Sequence, residues 1–414
     1  MAKGNIAKLA FVGTLGLAAP VHVHAQTLLP AQPGEQKAVI SVSATGLYDS
    51  NIARASSAAL SRRGLEKSDF RLTPLLSADI YKPFGVSYVS LMGSVGYDIH
   101  ARNSVLDRER IDLTGGAGSK LGPCGLNVTG GYQRRQSDLG DLNVLTTGAT
   151  ATTKNTESIV HAEGLLACGG VVGIKPFAML NYSDAQNSAN QRKGSDSESV
   201  TYGGGLLYTQ PSIGEIRVYV AQRDVDFPER DGIRYFGAPE LRARYAGIRL
   251  ERNIGARLSG HVQIAYADVD QRGSPTTNNG FDGITWEAGA TLRANSRLTL
   301  DAIASRSADP SLGFNVDYIV TEDYQLKASY TLNERMTLIL TGWHSARDFN
   351  YSDTATSIVV NQDKTNRIQA SLRIDPVFGR FSLIADAGYA NRNADVDFYD
   401  YDSVRVGLTL ATQF

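Results

Sequence analysis

From residue 38 onward, apolar side chains recur at every second position, and this alternation limits what the chain can fold into more than any other feature. Ala38, Ile40, Val42, Ala44 and Tyr48 share one face of the first segment. Phe70, Leu72, Leu76, Ala78 and Ile80 do so in the second, and Val89, Leu91, Val95, Tyr97 and Ile99 in the third. The last segment reads Val404, Val406, Leu408, Leu410, Thr412 and Phe414, with Ser403, Arg405, Thr409 and Gln413 on its other face. About eighteen such segments follow one another, each near the roughly 9–11 residues that a tilted strand needs to cross a bilayer.

The connections alternate in length. Short turns occur at Lys82–Gly85, Gly122–Gly125, Cys168–Gly170, Pro211–Gly214, Arg252–Gly255, Ala294–Ser296, Leu332–Arg335 and Asp375–Gly379. Between them lie longer polar loops, roughly 50–68, 101–109, 136–156, 184–197, 226–241, 268–282, 306–317, 346–365 and 392–398. Short turns at one end and long loops at the other are the layout of an antiparallel up-and-down transmembrane β-barrel, here of 16–18 strands. A soluble sandwich has no reason to alternate so strictly, and a solenoid would show a fixed repeat period. Closure pairs every backbone N–H and C=O, which hydrocarbon would otherwise penalise.

Charge placement assigns the faces. A charge on the lipid side near the midplane costs about 2–4 kcal/mol, so ionisable side chains on the polar parity must face a wet lumen. The lumen-lining candidates are Arg71, Asp79, Arg217, Arg223, Arg257, Asp301, Asp323, Arg367, Arg373, Asp386 and Arg405. His261 and Lys327 fall on the same parity, as does the His161/Glu163 pair. Each charged side chain has an alternative use in salt bridges that only stiffen the wall. Tyr48, Phe70, Tyr97, Tyr266 and Tyr389, near strand ends, are expected in interfacial girdles.

Residues 1–25 have the layout of a secretory signal peptide: Lys3 and Lys8, an apolar run from Leu9 to Ala19, and Val23-His24-Ala25 before the expected cleavage site. That divides the chain into a signal segment (1–25), a short periplasmic segment (26–37) and a barrel (38–414), with both barrel ends at the short-turn rim. Lys and Arg number 41 against 42 Asp and Glu, a balance that excludes a charge-driven nucleic-acid binder. Cys124 and Cys168 sit in consecutive short turns, so antiparallel neighbours bring both thiols to one rim. An oxidising compartment then favours a disulfide if the Cα atoms lie within about 4.4–6.8 Å.

Other constellations carry less. The Gly115–Lys120 run closes a strand instead of opening a helix, unlike a phosphate loop. His161-Ala162-Glu163 lacks the second half of a zinc-deaminase pattern. The Asp395–Asp402 segment mixes carboxylates with aromatics and reads as an aromatic girdle with solvated acids, ahead of a Ca²⁺ or sugar site. No cofactor, metal site or catalytic motif is expected. Leu408, Leu410 and terminal Phe414 resemble the signal by which the barrel assembly machinery of Gram-negative outer membranes recognises its clients.

The block Gly46-Leu47-Tyr48-Asp49-Ser50-Asn51-Ile52-Ala53-Arg54, with Ser68-Asp69-Phe70-Arg71-Leu72-Thr73-Pro74, resembles a family of outer-membrane β-barrel porins found in exopolysaccharide loci of the sphingan type. What the resemblance implies is an outer-membrane barrel that assists export of a polysaccharide, with the polymer and periplasmic export components as partners. The alternatives are a general diffusion porin for small polar solutes and a plugged structural or enzymatic barrel. A barrel of this size leaves an aqueous channel unless a loop fills it, and loops 136–156 and 346–365 are long enough to fold inward.

Overall fold

The computed structural model describes residues 35–137, 139, 154–230, 238–272, 280–310, 316–351 and 360–414. The expected signal peptide, and most of 26–37 and of loop 136–156, lie outside the described residues. In loop 346–365 the same is true of 352–359.

The first six strands are β1 (Lys37–Asp49), β2 (Asp69–Phe84), β3 (Ser87–His100), β4 (Arg108–Leu121), β5 (Cys124–Gln136) and β6 (Thr156–Cys168). The next six are β7 (Gly173–Asn187), β8 (Ser197–Gln210), β9 (Gly214–Asp226), β10 (Glu240–Ile254), β11 (Leu258–Arg272) and β12 (Phe281–Arg293). The last are β13 (Leu298–Pro310), β14 (Val316–Asn333), β15 (Met336–Tyr351), β16 (Gln362–Phe378), β17 (Phe381–Ala394) and β18 (Tyr401–Gln413). Among the described residues one α-helix, α1 (Ser57–Arg63), lies in the first long connection.

Each strand pairs antiparallel with its chain neighbours in one 18-stranded sheet, and β18 pairs back on β1 from Ser41↔Gln413 to Asp49↔Arg405. The fold is therefore a closed 18-stranded antiparallel barrel. Phe414 completes the seam, its N–H donating to the Ile40 carbonyl at 2.8 Å. The seam leaves no open edge, the condition for strands in hydrocarbon. The tight turns between β2 and β3 and between β16 and β17 need a left-handed residue, supplied by Gly85 (φ 60°) and Gly379 (φ 52°).

Alternation sorts the two faces. On β1, Ile40 and Val42 point outward, each 47% exposed, whereas Ser41 and Ser43 point inward and are buried. Tyr48, Phe70, Tyr97, Tyr266 and Tyr389 lie on the outer face near the long-loop end, all between 44% and 50% exposed. Inside, several rings lie flat over a cross-strand glycine. A Cβ at Gly131 would collide with the His161 ring, and one at Gly289 with His261. The Gly115–Lys120 run belongs to β4, where a Cβ at Gly118 would strike Tyr88.

Among the described residues the barrel has no central core: one buried apolar cluster, Leu165, Ala167, Phe177 and Leu207, lies on the inner wall near the short-turn rim, and the others gather at the long-loop end. Ile52, Ala53, Ala55, Ala59 and Leu65 of the first connection pack with Leu106, Leu139 and Phe398, which come from three other loops. Val316, Phe349, Val360 and Tyr399 form a second cluster. The segment 395–402 thus supplies loop core and not the aromatic girdle expected of it: Tyr399 is buried, and Phe398 packs against both clusters. Its acids bind backbone, Asp400 accepting from the Ala394 N–H at 2.7 Å and Asp395 from the Asn361 N–H at 2.9 Å. Among the described residues, no group of three or more His, Cys, Asp or Glu is placed to hold a metal ion.

A third cluster marks a departure from the cylinder. β12 pairs with β13 only from Trp286↔Arg306 to Arg293↔Thr299. Beyond Arg306 the β13–β14 hairpin leaves the wall, and Ala308 and Val320 pack on Val225, Leu241, Ala243, Ala267, Val269 and Phe281. Those six are inner-face residues of β9–β12, so the hairpin leans into the lumen. Arg306 bridges the fork, its Nη1 donating to the Ile284 carbonyl at 3.0 Å.

Candidate functional site

The inner face of the wall is ionisable along its whole height. Arg71, Asp79, Arg217, Arg223, Asp301, Asp323, Arg367, Arg373, Asp386 and Arg405 all occupy inward positions of the alternation. Arg257 is the exception. It lies in the exposed turn between β10 and β11, because the strand starts at Leu258 and the turn takes up the preceding residues.

Most of these side chains are tied to neighbours across the strands. Arg71 Nε lies 3.7 Å from Asp98, and Asp79 is paired with Lys37. Arg217 reaches Glu215 at 2.8 Å and also lies over the Phe177 ring. Arg223 lies 3.9 Å from Asp309, on the inward-leaning hairpin. Arg373 reaches Asp375 at 2.8 Å, Asp301 accepts from Thr291 at 2.7 Å, and Asp386 accepts from Ser371. Arg367 stacks over the Trp343 ring, 4.5 Å from its centroid. Asp323 faces inward, opposite Ser305 and Ser345 in register. Only Arg405 and Arg110 place a guanidinium on the inner wall with no hydrogen bond or ion pair to any described residue.

Sequence reasoning missed the tightest ionic knot. Asp363, 1% exposed, is held between Arg347 at 2.6 Å and Arg392 at 2.5 Å at the long-loop end of β15–β17. It also missed Trp343, an aromatic on the polar parity of β15. The alternation itself was the signal that could have found it, because Ser345 and Thr341 flank it on the same face.

The two sequence blocks that carry the family resemblance pin the first long connection at both ends. Asp49, 1% exposed, accepts from the Asn51 N–H at 2.9 Å, the Ser403 hydroxyl at 2.6 Å and Arg54 Nη2 at 2.7 Å. Asn51 Nδ2 donates to the carbonyls of Ala55 and Asp402, both at 3.0 Å, and so ties the loop to β18. At the other end, Asp69 accepts from the N–H of Asn103 at 2.8 Å and from that of Arg102 at 3.0 Å. Between these anchors α1 is capped by Ser56, whose hydroxyl accepts from the Ala59 N–H, and closed by Gly64 at φ 62°. The result is a structured loop layer over the β17–β18–β1–β5 side of the mouth.

Cys124 and Cys168 form a disulfide at the short-turn rim, directly opposite each other across β5 and β6; their Cα atoms are 3.9 Å apart, closer than the expected range, because the two residues are direct cross-strand partners. The C-terminal residues Leu408 and Leu410 point outward, as does Phe414, which is 67% exposed.

No family model and no curated protein matches the sequence. Among solved structures, the chain is similar to OccK2 (OpdF) of Pseudomonas aeruginosa, crystallised in complex with glucuronate. That match has 12% identity, a TM-score of 0.47, and covers 92% of this chain and 98% of that one. It is similar also to the outer membrane protein OpdK of the same organism, with 10% identity, a TM-score of 0.45 and coverage of 91% and 99%. A BenF-like porin from Pseudomonas fluorescens Pf-5 shares 9% identity at a TM-score of 0.48, over 92% and 99% of the two chains. Likeness this distant says nothing of cargo, and nothing in these comparisons ties the chain to exopolysaccharide loci.

Proposed function

We propose that the chain is an outer-membrane channel of a Gram-negative bacterium through which small polar solutes diffuse. The observation that carries this reading is the closed 18-stranded wall, apolar outside and ionisable inside. Such a wall is stable only with hydrocarbon on one side and water on the other. Passage requires contacts weak enough to exchange, and the ion pairs along the wall present many partly satisfied polar groups to a passing solute. The lipid bilayer is its first partner. The assembly machinery is its second, recognising the outward Leu408, Leu410 and Phe414 of the closing strand.

Small solutes suit the mouth better than a polysaccharide chain does. The loop layer has its own buried apolar clusters, and the β13–β14 hairpin leans inward on a third. A polymer threading outward would have to part these contacts and hold them apart throughout export, whereas a small solute passes beside them. Purified protein in planar bilayers should give discrete conductance steps, and proteoliposomes should swell in small sugars faster than in large ones. A folded protein that gives neither would refute the channel. Loss of secreted polysaccharide in a deletion strain, with no change in small-solute uptake, would restore the export reading.

A further inference from the structure

We infer that the wall has a lateral slot between β12 and β13, through which a single-chain amphiphile with a neutral, hydroxylated head enters the lumen from the membrane surface, a route beyond the axial path proposed above. The seam between these two strands is cut short. Its eight register pairs stop at Trp286↔Arg306. β12 nevertheless runs on to Phe281 and β13 to Pro310. Past the fork each strand pairs on its far side only, 281–285 with β11 and 307–310 with β14. Among the described residues, five of β12, about 17 Å of strand, thus present an edge with no strand beside it. Backbone polar groups alternate in direction along a strand. The Ile284 carbonyl receives Arg306 Nη1 at 3.0 Å, so the N–H and C=O groups of Ile284 and Asp282 face the slot.

The height of the slot and its lining identify the passenger. Tyr266, Trp286 and Tyr324 lie on the outer face at its foot: Tyr266 stands opposite Ile284, and the Trp286 and Tyr324 rings are 6.4 Å apart. Such aromatics mark the level where hydrocarbon gives way to headgroups. Just above them on the outer face, Arg244 pairs with Asp268 at 3.2 Å and with Asp270 at 3.3 Å, charges that hydrocarbon would expel. The edge N–H groups therefore meet water and headgroups instead of acyl chains, and an unpaired seam is sustained there. Behind the slot the lining is apolar. The displaced β13–β14 hairpin sets Ala308 and Val320 in one cluster with Phe281 and Val269, and Tyr318 meets the Phe281 ring edge-on at 5.8 Å. The mouth is polar. Arg306 lies 3.5 Å from Glu322, which leaves Asp282, accepting from the Tyr266 hydroxyl, as the carboxylate in excess. That excess disfavours an anionic head, whereas edge N–H donors beside carbonyl and carboxylate acceptors suit hydroxyls. A molecule with a hydroxylated head and one narrow tail matches both halves, its head at the β12 edge and its tail against Phe281 and Val320.

Photolabelling of the full chain in liposomes tests this, with an octyl glucoside that carries a diazirine in its tail. Labelling that saturates, and that unmodified octyl glucoside displaces, should map to Phe281, Ala308 or Val320, whereas labelling of the rest of the outer face should not saturate. Glucose, which lacks the tail, should not compete, and octyl sulfate, which is anionic, should need about tenfold more. The double variant Ile284→Cys with Ala308→Cys places thiols where continued register would set them opposite each other. Oxidised, it closes the slot: saturable labelling should fall about tenfold and return with dithiothreitol, while swelling in small sugars persists. Wild-type labelling should be the same with and without dithiothreitol. Unchanged labelling in the oxidised variant, or wild-type labelling that never saturates at the fork, would overturn the slot. Equal competition by octyl sulfate would overturn the neutral head. Swelling without saturable labelling removes the slot alone, whereas saturable labelling in a protein that permits no swelling removes the axial channel and leaves the slot.

Discussion

Asp49 is the residue whose neutralisation should cost the fold most for the least change in shape. Its side chain is 1% exposed and its Arg54 partner 16%, with Arg405 held nearby without a counter-ion of its own. Asp49→Asn keeps the size but removes the carboxylate that pairs with Arg54 and lies nearest Arg405. Breaking a buried pair in this way costs about 3–5 kcal/mol. Arg54→Gln should cost less, about 1–2 kcal/mol, because the abandoned carboxylate gains Arg405 in place of Arg54 and keeps Ser403 and the Asn51 N–H. Arg405→Gln alone should be neutral or stabilising. Like charges on neighbouring guanidiniums repel by on the order of 1–2 kcal/mol at an effective dielectric of about 20, and no bond to a described residue is lost in exchange. The double variant Asp49→Asn with Arg405→Gln should therefore recover part of the Asp49→Asn loss, a non-additivity of at least about 1 kcal/mol. Urea titration of protein refolded into vesicles, followed by tryptophan fluorescence and by the heat-sensitive gel mobility of folded barrels, measures all four corners. Additive losses, or an Arg54→Gln variant weaker than Asp49→Asn, would refute the reasoning.

Three further outcomes follow from the wall. Leu326→Arg, on the outer face where Leu326 is 56% exposed, should lower stability by about 2–4 kcal/mol, whereas Gln325→Arg on the lumen side should leave stability nearly unchanged and shift ion selectivity; equal losses in the same urea titration would contradict the assignment of faces. Replacing Cys124 and Cys168 together by serine should cost about 2–4 kcal/mol, since the bridge closes a loop with a sequence separation of 44, and dithiothreitol should reproduce that loss in the wild type and have no effect on the variant. Arg306→Ala removes the donor to the Ile284 carbonyl at the β12–β13 fork, so open-channel current noise should rise; a quiet variant would place the fork outside the conduction path.

Some of this was legible in local sequence. Strand parity, the eight short turns and the rim position of the cysteines need only neighbouring residues, since period two and turn chemistry act over a few positions. Arg257 was misplaced because the turn between β10 and β11 starts later than its sequence suggests, and strand ends carry little signal. The Asp395–Asp402 segment was misread because its aromatics look alike whether they face lipid or pack under a loop. Only the partners Ile52, Val360 and Phe349, contributed from elsewhere, distinguish the two.

The amino-acid order by itself settled that this chain forms a greasy-sided, wet-centred barrel, because each strand declares its two faces through its own alternation. It could not settle which charges would be balanced. That depended on closure, which sets Asp49 beside Ser403, 354 residues away in sequence, and lays β17 between Arg367 and Arg405. Ion pairing falls off over a few ångströms, so the Arg405 guanidinium, which has no hydrogen bond or ion pair among the described residues, is a property of the assembled wall and of no segment within it.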